Sequence, residues 1–170
     1  MTARDLETLF DYSYWANQML FEVVSQLTPE QFTQSVAGSY GSVRTTLVHT
    51  LSAEWGWLDR CGGTRRGPAL KAADFPTVES VRHRWSEVEG YVREFLAALK
   101  DEDLDRVVEF AIGDGPKQAM RLGDLMHHAM NHGVHHRSQV ALLLRLLGYT
   151  PGNFDILFYY ARPEIQASQH

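Results

Sequence analysis

Five of the chain's eight histidines fall between His127 and His136. A helix turns about 100° per residue, so with His132 at zero His136 lies at about +40°, Gln139 at about −20° and His128 at about −40°. Leu125, Ala129 and Leu143 share that face, so the histidine stripe coincides with the apolar stripe that should face a core. His127 falls well off it, at about −140°, and His135 sits on its edge at about −60°. Burying neighbouring imidazoles without partners would cost about 1–3 kcal/mol for each unsatisfied nitrogen. A transition metal would satisfy them, because two histidines at i and i+4 converge on one ion.

Helix geometry limits which histidines can share that ion. His128 and His136 stand about 12 Å apart along the axis, too far for one metal. The pair is therefore His128/His132 or His132/His136, with His132/His135 a poorer third choice. Another helix must supply the third ligand. His49, flanked by Leu47, Val48 and Leu51, is one candidate and His83 is its rival. The opposing reading is a hydrogen-bonded polar network or a solvated face, with His49 a structural core histidine. Zn²⁺, Ni²⁺ and Fe²⁺ all accept imidazole, and three-histidine sites discriminate poorly among them.

Four long segments have the period needed to position these groups. The first runs from about Arg4 to Gln26 and stops at Thr28-Pro29, since proline lacks the amide that continues the ladder. The second starts after Ser42, a good N-cap, and runs to Gly62-Gly63. From Cys61 to Pro76 there is no period, and glycine and proline make this a mobile loop. Thr77 caps a third helix on which Val78, Val81, Trp85, Val88, Val92, Phe95 and Leu99 recur at steps of three and four. VVEFAI, Gly113-Asp114-Gly115 and PKQAM then read as a small hairpin between Val107 and Met120. The last helix spans about Leu122 to Leu147 and ends at Gly148. Asp155 to Phe158 forms one short closing helix. The expectation is an all-α protein, a four-helix bundle with a small hairpin in the crossover before the last helix, and a single domain over residues 1–170.

Composition narrows the function. Of 170 residues, 44% are hydrophobic and 22% charged, as in an ordinary folded protein rather than a disordered one. Sixteen basic and 21 acidic residues leave a formal net charge of −5, which argues against nucleic acid as the main partner. The longest apolar run, Val140 to Leu147, carries Arg145 and is far short of the roughly 20 residues of a membrane span. The N-terminus has no basic, apolar leader, so the expected location is cytoplasmic. The single cysteine, Cys61, cannot form an internal disulfide and has no obvious activating base. Trp15, Trp55, Trp57 and Trp85 read as core or dimer contacts. A di-iron carboxylate site is disfavoured, because Asp124-x-x-His127 is the nearest approach to Glu-x-x-His.

The string NHGVHHRSQ, Asn131 to Gln139, resembles the NHxxHHRGQ signature of the DinB/YfiT-like family of metal-binding bundles. GSVRTTLVHTLSAEWGW, Gly41 to Trp57, resembles that family's second helix, and DYSYWANQML its first. Together with the hairpin, the resemblance covers essentially the whole chain. It implies a metal on His49, His132 and His136. Ser138 stands where the family usually has glycine, on a position pointing away from the histidine face.

Three neutral histidines would leave coordination positions open for water or substrate, the layout of a catalytic site. Asn131, Gln139 and His128 are candidates to orient the ligands. Glu54, about 140° from His49, reads as structural. The resemblance further implies a thiol S-transferase joining a low-molecular-weight thiol to an electrophile in detoxification or stress response, and a homodimer. The alternatives are a metal-assisted hydrolase and a non-catalytic metal- or ligand-binding stress protein. Arg65, Arg66 and Lys71 are candidates to hold an anionic cosubstrate, against a plainer reading as a solvated linker.

Overall fold

Three of the four long helices begin where a short polar side chain meets the first amides. In the computed structural model, which describes residues 1–36, 41–62 and 67–167, Thr2 closes a capping box with Asp5 and opens α1, Ala3–Val24. Ser42 accepts from the Thr45 amide at 3.0 Å and opens α3, Val43–Gly62. Thr77 and Ser80 cap α4, Val78–Ala97, in the same reciprocal way. Thr28-Pro29 was expected only to end the first helix. It also begins a new one, α2, Pro29–Thr33, with Thr28 as N-cap and proline in the first turn, where its missing amide costs nothing.

The hairpin is present as β1, Val107–Phe110, and β2, Gln118–Arg121, paired antiparallel with Val107 opposite Arg121 and Phe110 opposite Gln118. Val108 and Phe110 point inward and are buried, while Gly113 takes the positive φ of 56° that the turn needs. β2 runs directly into α5, Leu122–Leu146, and the Leu122 amide donates to the Arg106 carbonyl at 2.8 Å. The hairpin therefore sets where the histidine helix starts. That helix ends at Gly148, whose φ of 89° supports the expected left-handed cap. Two short helices follow, α6, Ile156–Tyr160, and α7, Pro163–Ala167; the second was not anticipated.

α5 packs against α1 and α3, and α4 packs against the same two helices. Going round the bundle the order is α1, α5, α3, α4, so the α4–α5 connection crosses a diagonal and carries the hairpin. Leu6, Tyr14 and Leu20 of α1, Leu47, Leu51 and Leu58 of α3, Val81 and Val88 of α4, and Leu122, Leu125 and Leu143 of α5 are almost completely buried. At about 1.5–3 kcal/mol for each large apolar side chain, this core is the main force holding the helices. No helix among the described residues is long and apolar enough to cross a membrane.

Between α3 and α4 the chain is less featureless than its composition suggests. Residues 72–74 form one 3₁₀ turn, and the Leu70 amide donates to Ser52 Oγ on α3 at 3.0 Å. Arg65 and Arg66 lie outside the described residues. Lys71 is exposed.

Candidate metal centre

His132 and His136 lie one turn apart on the inward face of α5, and His49 meets them from α3. One ring nitrogen from each of the three lies within 4.8 Å of the others. The ring centroids are 4.2 Å apart for His132–His136, 4.7 Å for His49–His136 and 5.2 Å for His49–His132. His132 Nε2 faces His136 Nε2 at 3.0 Å. Two nitrogens on one tetrahedral zinc stand about 3.3 Å apart, given Zn–N bonds of about 2.0–2.1 Å, so this spacing suits a shared ion. Three imidazole nitrogens arranged in this way can hold one metal.

The surroundings keep these rings neutral. Burial lowers the pKa of His49 and of His136. His132 is pushed down to about 4, first by burial and then by its histidine neighbours. Neutral imidazoles have the lone pairs that ligation requires. Gln139 also selects a tautomer: its Oε1 lies 2.7 Å from His136 Nδ1, and its Nε2 lies 2.9 Å from His135 Nε2. With the amide donating to His135, Oε1 accepts the Nδ1 proton of His136, and Nε2 of His136 is left free to ligate.

Of the other histidines, His135 and His128 adjoin the cluster, the His135 ring centroid 4.9 Å from that of His136, and His83 and His127 lie away from it. His83 is exposed and pairs with Glu87 at 3.5 Å, outside the group of histidines that meet. His128 is exposed one turn before His132, its ring 5.9 Å from that of His132 and 5.1 Å from Trp57. His127 is exposed on the far side of α5, and Asn131 is exposed a quarter turn from His132 with no hydrogen bond to the cluster.

A cleft of about 620 Å³ opens beside the cluster, lined by His49, His132, His128, Trp55, Trp57 and Ile112 among others. Trp57 was expected only as a core or dimer contact; it is buried but forms the cleft wall. Phe110 of β1 holds its edge at 5.3 Å, and the Arg60 guanidinium lies over its ring at 5.1 Å. The alternation of VVEF was the one sign that the hairpin had an inward face to offer.

Glu54 is buried and stands outside the histidine cluster, in keeping with a structural role. Its carboxylate accepts from the Tyr14 hydroxyl at 2.8 Å. Burial raises its pKa to about 7, while Tyr14, Arg137 and Trp85 pull in the opposite direction. Tyr14 is the partner that sequence reasoning missed, since its place on the apolar stripe of α1 concealed a polar task. Cys61 is fully buried, and burial pushes its thiol up to about 11, away from the thiolate form.

The model of the DinB family matches residues 1–166, and the chain belongs to that family. Protein DinB of Bacillus subtilis (strain 168) is 23% identical over 163 residues, which is 92% of this chain and 95% of that protein. The uncharacterized protein YizA of the same organism is 23% identical over 142 residues, covering 84% of this chain and 87% of its own. The crystal structure of a DinB-like protein from Bacillus cereus ATCC 10987 matches with a TM-score of 0.74 at 22% identity, over 89% of this chain and 97% of that one. The shared architecture is the all-α DinB bundle.

Proposed function

We propose that the chain, as one DinB domain over residues 1–170, holds a divalent transition ion on His49, His132 and His136 and transfers a low-molecular-weight thiol to an electrophile in the cytoplasm, in detoxification or stress response. The observation that carries this reading is the meeting of three neutral imidazoles at a cleft large enough for a small organic substrate. A bound zinc, nickel or iron ion supplies Lewis-acid chemistry that favours the thiolate form of a thiol at neutral pH.

The chain's own residues do the rest. Gln139 holds the His136 ring with Nε2 toward the cluster. Trp57, Trp55 and Ile112 form an apolar wall that receives the organic part of the substrate and limits water. His128, beside His132 in the same cleft, can accept the proton that the thiol gives up. The sulfur–carbon bond then forms as the electrophile opens or loses its leaving group. The homodimer belongs to the same proposal; Leu142 and Leu146 of α5 and Leu157 and Phe158 of α6 are exposed apolar side chains that a second copy would cover.

Elemental analysis of the wild type beside His49→Ala and His132→Ala tests the site. About one equivalent of metal in the wild type, lost in both variants, supports it. Calorimetric titration of the metal-loaded protein with cysteine and 2-mercaptoethanol then tests the chemistry. Metal-dependent binding supports transfer. A loaded site that ignores thiols removes that reading and leaves hydrolysis or binding without turnover.

A further inference from the structure

The face of α5 opposite the histidines borders a second cavity, of about 410 Å³, closed by Tyr12 of α1 and by residues 152–156. Arg137 lines it and is only 3% exposed. Its Nη1 donates to Asn17 Oδ1 at 2.7 Å and to Ser13 Oγ at 3.1 Å and Ser13 O at 3.3 Å. Its Nη2 is buried with no hydrogen-bond partner. Among the described residues no carboxylate pairs with it directly. Among the neighbouring groups Tyr12 acts on it most, with its ring centroid 5.6 Å from the guanidinium carbon, and Glu54 acts at longer range with its own carboxyl pushed up to about 7 by burial. A guanidinium removed from water without an anion is costly, so the arrangement is incomplete as it stands.

The rest of the cavity indicates what would complete it. Arg145 lies on the same helical face two turns further on and is exposed at the rim. Asp155 is engaged elsewhere, accepting the Leu157 amide at 2.9 Å as the cap of α6. Val134, Ala141, Phe154 and Ile156 form an apolar wall alongside the two arginines. We propose that this cavity binds a small organic anion, a carboxylate on an apolar body, with the carboxylate directed to the Arg137 guanidinium, the body on the apolar wall and Arg145 at the entrance. The planar guanidinium fork of Arg137 suits a carboxylate, Arg145 adds positive charge at the rim, and the wall favours an organic acid over an inorganic ion. This site is independent of the histidine cluster, and either can fail without the other.

The probe is hexanoate, with hexanamide as its uncharged counterpart, titrated calorimetrically into the full chain. Saturable hexanoate binding is expected, weakened about tenfold in Arg145→Ala and abolished in Ser138→Trp, which fills the cavity from an exposed position. Binding should persist in His132→Ala, which separates it from capture of the carboxylate at the histidines. No saturation below about 10 mM, equal binding of hexanamide, loss in His132→Ala alone, or undiminished binding in the two cavity variants would overturn the proposal.

Discussion

His136 presents its two ring nitrogens to different partners: Nδ1 meets Oε1 of Gln139 at 2.7 Å, and Nε2 faces Nε2 of His132 at 3.0 Å. Gln139 is therefore tied to the three-histidine cluster by a hydrogen bond, without belonging to the set that could ligate a metal. Partners of this kind typically contribute 10–100-fold to metal affinity. Gln139→Leu should weaken zinc binding by about that factor in a chelator competition, while Gln139→Glu, which still accepts the Nδ1 proton, should retain most of it. Equal affinities for wild type and Gln139→Leu would show that packing alone orients the ring.

The two histidines that the sequence left as rivals provide a specificity test. His83→Ala and His128→Ala should each retain about one equivalent of metal, and His136→Ala should lose it. If His128→Ala also empties the site, the cluster extends one turn further along α5 than the geometry indicates.

Glu54 makes stability depend on pH in a defined direction. Its pKa rises from 4.5 to about 7 on burial, so the folded chain holds a proton that the unfolded chain releases. Its contribution is fully present below about 4.5 and is lost as the pH rises through about 7. The shift corresponds to at most about 3 kcal/mol. Glu54→Gln keeps an acceptor for the Tyr14 hydroxyl and cannot ionise. Urea unfolding should find it within about 1 kcal/mol of wild type at pH 5 and about 1–3 kcal/mol more stable at pH 9. Parallel pH profiles for the two proteins would refute this account.

Leu51 lies at the centre of α3 with no exposed surface, two residues from the metal candidate His49. Leu51→Ala should destabilise the fold by about 2–5 kcal/mol, as removal of a large buried side chain leaves a cavity. A denaturant midpoint that hardly moves would mean that α3 collapses into the space.

Much of the centre was legible in local pattern. The coincidence of histidines with the apolar stripe of α5 turned His132 and His136 inward, though His128 on the same stripe is exposed, and residue spacing excluded His128 and His136 as joint ligands. Caps at Ser42, Thr77 and Gly148 marked helix ends because they act on neighbouring amides, an interaction that never leaves the local chain. The four long helices and the hairpin followed from the same short-range rules, whereas α2 and α7 did not.

Relations between elements were decided only in three dimensions. Whether His49 or His83 reached the cluster depended on how α3 and α4 are arranged around α5, and local periodicity carries no information about that order. Trp57 became a cleft wall because the hairpin brings Phe110 against its edge. Tyr14 found Glu54 across the bundle, 40 residues away. Arg137 was placed in the core by its contacts with Ser13 and Asn17, more than a hundred residues earlier in the chain. Hydrophobic patterning determines which face of a helix turns inward; the packing of the whole bundle determines what that face meets.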